Sequence, residues 1–298
     1  MSQSALLAMQ CLLLLLAAHC DGQNKAPEKN LYITGNFYQN VVSIRTRKHI
    51  RNWGDNHFCA GSILSKRWVV TSGCCVSTMP ASTPKRSSNR KNMRVVVFTH
   101  KRLRKPLKEN VFTVDKVVLD EENGDGCSKL ALLKLDRVIS GQRFALKLPL
   151  NKKNSTWLCR TIGWGRMYYE GPYSNELLQL RAEEIPTSTC KSDCSTCLCM
   201  ASYTGRGNMC QLDQGSPLFC GTVLYGVARG VTCEDENYMV YTSIYHHRKF
   251  IEKTLTSASL QRGSKLSVMI WLLTWFFAGS IKDLSYSIVL LLENLKRI

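Results

Sequence analysis

The 298-residue chain is short of negative charge: 22 Asp and Glu stand against 40 Lys and Arg, a formal net charge of +18. Such an excess raises the local positive potential and attracts polyanions. The chain carries no recognisable nucleic-acid-binding motif, so the excess does not point to DNA or RNA. No internal repeat recurs along it, which argues against a solenoid or propeller of tandem units. Long apolar runs are scarce as well. Leu266–Ile281, LSVMIWLLTWFFAGSI, is 16 residues long, at the lower edge of the roughly 17–25 that span a bilayer.

Cysteine, by contrast, is abundant. There are 14, and an apolar leader, Ala5 to Ala18, is followed by small residues in the pattern of a signal peptide (residues 1–22). Its cleavage removes Cys11 and Cys20 and leaves an even number, which in a secreted chain favours disulfides over metal sites. No metal site or cofactor is expected. Asn154-Ser155-Thr156 is a glycosylation acceptor, usable on the secretory route. Cys194-Ser195-Thr196-Cys197 has redox spacing, but the secreted, cysteine-rich context favours a structural role. The basic residues cluster in Arg45–Arg51 and across residues 85–108. Lys85, Arg86, Arg90, Lys91, Arg94, Lys101, Arg102, Arg104 and Lys105 are candidates for holding a polyanion such as a glycosaminoglycan. A solvated surface is the plainer alternative.

Residues 23–30 are polar. From Leu31 to Ile244 the chain reads as many short apolar, β-branched segments, among them VVSIR, MRVVVFTH, VFTVDKVVL, LALLKL and MVYTSI. That spacing predicts an all-β sandwich or barrel. Residues 245–256 form an amphipathic pattern, with Phe250, Ile251 and Leu255 apolar, and predict a helix. The tail, 257–298, is a separate hydrophobic extension. Ser257, Ala258 and Ser259 are small enough for a lipid-anchor signal, whereas the second hydrophobic run, YSIVLLL, and the basic end, Lys296-Arg297, fit that signal poorly. Membrane association through 266–281 stays open beside a soluble extracellular form.

Several motifs fall in a telling order: HFCAGSILSKRWVVTSGCC, then SKLALLKL, GWG (Gly163–Gly165), CQLDQGSPLFC and MVYTSI. This order resembles the trypsin-like serine proteases of the chymotrypsin clan, across about residues 31–256. The resemblance implies two antiparallel six-stranded β-barrels, about 31–143 and 144–244, a C-terminal helix at 245–256, and a cleft between the barrels. It also implies Ser-His-Asp chemistry, in which a serine attacks a carbonyl, a histidine takes its proton and a buried aspartate orients the histidine.

Each of those positions departs from the family pattern. Where the family has His-Cys, this chain has Cys74-Cys75; where it has the orienting aspartate, Lys129; where it has the nucleophilic serine, Gln214. An amide is no acyl-transfer nucleophile, and a lysine cannot stabilise an imidazolium. The oxyanion-loop glycine is Leu212. In the specificity pocket the usual aspartate is Asn208, and a wall glycine is Met239, expected to fill the pocket, while Gly230 keeps the opposite wall. Ala228 and Arg229 replace the usual Ser-Trp of the substrate strand. The activation sequence survives only as Ile33-Thr34-Gly35-Asn36 after Tyr32, so a zymogen-like setting is expected around Asp213. His57 is expected on the surface, and His246 and His247 on a helix surface.

The resemblance also implies the pairings Cys59–Cys75, Cys159–Cys220, Cys190–Cys199 and Cys210–Cys233. Cys74 and Cys127 match positions that adjoin across the family's cleft, which suggests a further bridge between them. An unbridged Cys74 thiol activated by Lys129 is the rival. The expected protein is therefore not an enzyme. It is a secreted homologue that binds active proteases or their inhibitors, as a cofactor, regulator or decoy in an immune or reproductive cascade. Glycosaminoglycan binding through residues 85–108 is the alternative, and a thiol-based or residual serine-type hydrolase is a remote one.

Overall fold

The computed structural model describes residues 39–77, 92–121, 129–141, 146–152, 158–166, 171–190, 194, 196–202, 213–229 and 238–257. Within them β1 (Val41–Thr46), β2 (His57–Ser65), β3 (Trp68–Ser72), β4 (Met93–Val96), β5 (Val111–Leu119) and β6 (Leu130–Leu135) close one barrel in the order β1-β2-β3-β6-β5-β4. A second barrel, β10-β11-β12-β9-β8-β7, is built from β7 (Cys159–Gly163), β8 (Leu178–Glu184), β9 (Cys197–Ser202), β10 (Pro217–Cys220), β11 (Val223–Ala228) and β12 (Tyr238–Ser243). The strands of both barrels pair antiparallel. A short helix, α1 (Cys74–Ser77), follows β3. The barrels lie in one compact unit that ends at His247; helix α2, residues 248–257, opens a second unit. The chain turns over residues 244–247, so this helix begins after Tyr245 rather than at it.

The sequence explains the closure. In β5 the alternate residues Phe112 and Val114 are buried while Asp115 is exposed, the period of two that a strand with one core face requires. Phe112 and Val114 pack with Ile44, Ile63, Val69 and Leu133 inside the first barrel. Leu198, Met200, Leu218, Tyr225 and Tyr241 fill the second. Bulges at Ile44/Arg45, Ile63/Ser65, Val114/Lys116 and Leu218/Phe219 bend the strands, which closing a small barrel demands. Among the described residues, closure leaves neither barrel an open sheet edge to recruit another strand.

Three disulfides tie these elements: Cys59–Cys75 joins β2 to α1, Cys159–Cys220 joins β7 to β10, and Cys190–Cys199 anchors the turn before β9. Cys194–Cys197 closes a further tight loop. Cys210, Cys233 and Cys127 lie outside the described residues, as do the leader, residues 23–30 and the tail beyond 257. Among the described residues no helix is long and apolar enough to cross a membrane.

Candidate functional site: the junction of the two barrels

The junction is built from backbone. The loop entering β10 lays its Gln214 carbonyl against β2, accepting the Ala60 N–H at 2.7 Å. Gly215 follows at φ +84°, a left-handed conformation that favours glycine. A Cβ there would collide with the Ala60 carbonyl and the Thr71 hydroxyl of the first barrel. Gly215 N–H donates to the Ala228 carbonyl, and Ala228 N–H to Ser216, at 2.9 and 2.8 Å. Thus QGS sits locked between β2 and β11.

Asp213, one residue earlier, is buried. Its Oδ1 accepts the Gly165 N–H at 2.8 Å. A Cβ on either Gly163 or Gly165 would strike this carboxylate, so Gly-Trp-Gly forms a cradle cut to its shape. The degenerate activation sequence at 32–36, from which a zymogen-like setting around Asp213 is expected, lies outside the described residues.

Cys74 opens α1 and is buried. It is disulfide-bonded, and its partner lies outside the described residues. Cys75, its neighbour, takes the bridge to Cys59. The Gln214 side chain reaches the same bridge: its Oε1 lies 3.5 Å from Cys59 Sγ. Lys129 is close through its main chain, since Gly73 N–H donates to its carbonyl at 2.8 Å and extends the β3–β6 ladder. Its side chain is engaged elsewhere, with Nζ 2.9 Å from Glu121 Oε2. An activated Cys74 thiol beside a Lys129 ammonium is therefore corrected on both counts. The bridged sulfur has no proton to lose, and the ammonium pairs with Glu121.

Met239 is buried in the second-barrel core, and the Tyr241 hydroxyl donates toward its sulfur at 3.7 Å. Full burial pushes the Tyr241 pKa up. Arg229 continues the β11–β12 pairing through its N–H to Val240 at 3.0 Å. Leu212, Asn208, Gly230 and the acceptor Asn154 lie outside the described residues, as do Lys85, Arg86, Arg90 and Lys91. Among the described residues no cluster of His, Cys, Asp or Glu could hold a metal ion.

Three expectations of exposure are corrected. His57 is buried, with Nδ1 2.8 Å from Ser43 Oγ and its ring edge-on to Trp164 at 5.2 Å. It faces inward because β2 starts at a bulge in the β1 pairing and meets Trp164 of the second barrel. His247 is buried beside Asp120, with Nδ1 2.6 Å from Oδ2. It lies in the turn before α2, not on the helix, and His246 alone is exposed there. Arg102 is also buried, donating to the carbonyls of Gly54 and Ser174 at 2.9 and 3.2 Å. It is a strut inside a basic loop rather than part of that loop's charged surface. Arg94 is half-buried, with Nη1 donating to the Met93 carbonyl.

Two six-stranded antiparallel barrels meeting at a glycine-rich turn, with a buried aspartate cradled by Gly-Trp-Gly, define the two-barrel class of serine-protease domains. The Trypsin family model matches residues 31–251, and the chain belongs to that family. It is similar to human Serine protease 1 (27% identity over 215 residues, 68% of this chain and 82% of the relative). It is similar to Trypsin-3 of Salmo salar (27% over 217 residues, 67% and 84%) and to Trypsin of Sus scrofa (24% over 214 residues, 68% and 87%).

Proposed function

We propose that this protein is a non-catalytic, secreted member of the trypsin family that acts by binding. Its partners in this proposal are active proteases or their inhibitors, and its role is that of a cofactor, regulator or decoy in a protease cascade. The observation that carries the proposal is Cys74. At the position matching the family's general base stands a buried sulfur held in a disulfide. A bridged sulfur cannot take and return a proton, and loss of one triad member already removes most of the rate.

Three further features support it. Gln214 offers an amide where a nucleophilic hydroxyl is needed, and that amide oxygen rests against Cys59. Lys129 directs its charge to Glu121. Met239, at a position that the family pattern gives to glycine, is buried in the second-barrel core. We assign Cys127 as the partner of Cys74, replacing a catalytic hydrogen bond with a covalent bond across the cleft.

Peptide mapping of the protein under non-reducing conditions tests the assignment. A Cys74 peptide linked to a Cys127 peptide is expected, with no labelling of Cys74 by a thiol reagent before reduction. A Cys74 that reacts with the reagent in the native protein, or that links elsewhere, contradicts it.

A further inference from the structure

We infer that the Cys194–Cys197 disulfide is a thiol–disulfide exchange site, which takes up a low-molecular-weight thiol of the glutathione class on Cys194. The inference goes beyond the binding role proposed above and does not depend on it. It starts from a redundancy. Cys190–Cys199 joins residues nine apart in sequence, and Cys194–Cys197 joins residues three apart inside that loop. A disulfide stabilises a fold chiefly by restricting the unfolded chain, and the restriction shrinks with loop length. The other bridges with both ends described, Cys59–Cys75 and Cys159–Cys220, span 16 and 61 residues. Cys194–Cys197 is thus the shortest of the four, and it lies where an outer bridge already constrains the chain. It adds least to the fold, and its opening costs least.

The two ends of this bridge are unequally placed. Cys197 is buried at the start of β9, where it pairs with Thr242 of β12. Cys194 is half-buried in the turn before that strand. Both ends of the other three bridges are buried. Exchange depends on access to the attacked sulfur, so a thiolate arriving from solvent meets Cys194 first. The turn is also held without its S–S bond. Cys197 N–H donates to the Cys194 carbonyl at 3.3 Å, and Ser243 N–H of β12 donates to the Thr196 carbonyl at 3.2 Å. These bonds keep the two Cα atoms, 5.4 Å apart, within bridging range after the disulfide opens. Re-closure is then intramolecular, which makes the exchange reversible. The Thr196 hydroxyl donates toward Cys194 Sγ at 3.7 Å, a hydrogen bond that a thiolate on Cys194 would keep.

In the forward step an external thiolate, RS⁻, attacks Cys194 Sγ. The Cys194–Cys197 S–S bond breaks as the RS–Cys194 bond forms, and the electron pair leaves on Cys197 Sγ, which takes a proton from water. In the reverse step the Cys197 thiolate attacks Cys194 Sγ and expels RS⁻. One disulfide is exchanged for another, so neither step needs an oxidant or a reductant. Starting from the dithiol, the Cys194 thiolate attacks an oxidised RS–SR, forms the same RS–Cys194 bond and expels RS⁻. The Cys197 thiolate then closes the bridge. In every case the mixed disulfide sits on Cys194. The outer Cys190–Cys199 bridge and the Cys197–Thr242 pairing stay in place, which confines the change to the turn.

The experiment incubates the purified full chain with graded concentrations of reduced glutathione, quenches in acid, alkylates free thiols and maps each cysteine by mass spectrometry. A glutathionyl group on Cys194 and an alkylated Cys197 are expected. They should appear at a glutathione concentration about tenfold or more below that which opens Cys59–Cys75, Cys159–Cys220 or Cys190–Cys199. With oxidised glutathione, Cys197→Ser should trap the mixed disulfide on Cys194, and Cys194→Ser should leave Cys197 about tenfold slower to react. Opening of Cys194–Cys197 only together with Cys190–Cys199, or after it, overturns the inference and leaves a structural bridge. So does a glutathionyl group on Cys197 in place of Cys194, or equal reactivity of the two variants. The unsubstituted chain carries the first comparison, so a variant that misfolds does not shield the inference. These outcomes are independent of catalysis: an inert Cys194–Cys197 bridge leaves a non-catalytic cleft standing, and detected turnover leaves the exchange result standing.

Discussion

Acid–base chemistry at the barrel junction depends on what each single side chain can do with a proton. Cys74 is bridged, Gln214 is an amide, and Lys129 is paired with Glu121. In the sequence, the matching of these three positions to the family's triad rests on fixed neighbours: Cys75 after Cys74, Leu130-Ala131-Leu132-Leu133 after Lys129, and Gly215-Ser216-Pro217 after Gln214. His57, His247 and Arg102 were not legible, because their burial is set by partners distant in sequence: Trp164, Asp120, and Gly54 with Ser174. The buried Asp120–His247 contact gives a prediction at this scale. Asp120 follows β5, His247 follows β12, and among the described residues His247 Nε2 has no hydrogen-bond partner. Nδ1 is thus the ring's matched nitrogen. Asp120→Ala strands it in the interior and should lower the unfolding free energy by about 1–3 kcal/mol. Asp120→Asn keeps an acceptor and should cost less. Denaturant titration of the two variants checks this, and an unchanged stability for Asp120→Ala contradicts it.

At the scale of elements, hydrophobic alternation announced most strands. VFTVDKVVL became β5 and LALLKL became β6 without a shift. β9 was hidden, since CLCMAS reads first as disulfide and redox spacing and only the pairing with β8 and β12 reveals a strand. The run SILSKRWVVTS divides into β2 and β3 at Lys66-Arg67, where Arg67 caps Leu135 and Asp136 carbonyls instead of continuing a strand. Loop 47–55 offered only its charges to sequence reading; its order comes from Asp55. The Arg51 and Asn52 N–H groups, with a smaller contribution from Ile50, lower the Asp55 pKa to about 2. A carboxyl depressed in the folded state stabilises the loop above its unfolded pKa near ~3.9, and that contribution fades as pH falls through the folded value. An NMR titration should therefore place Asp55 at about 2. A midpoint near ~3.9 would mean that the loop is not held this way. Asp55→Ala should also speed amide hydrogen exchange at Ile50, Arg51 and Asn52 without altering the barrels.

Across the whole molecule, the two barrels are joined where an active family member would keep its chemistry, and that junction is intact as architecture. Gly215 still fits against Ala60, and Asp213 still lies in its Gly-Trp-Gly cradle. Catalytic side chains and barrel packing therefore separate cleanly: the packing is that of the family, and the proposed loss is confined to a few positions. Loss of the Cys59–Cys75 bridge should destabilise the first barrel by about 2–5 kcal/mol, through a bond that serves the fold and not a reaction. The central claim is that this fold binds without cutting. Its most direct test is mass-spectrometric cleavage profiling of the purified protein against a diverse peptide mixture. The account predicts no cleavage above the buffer control. Cleavage at defined sites that disappears in Cys74→Ala or Gln214→Ala would contradict it.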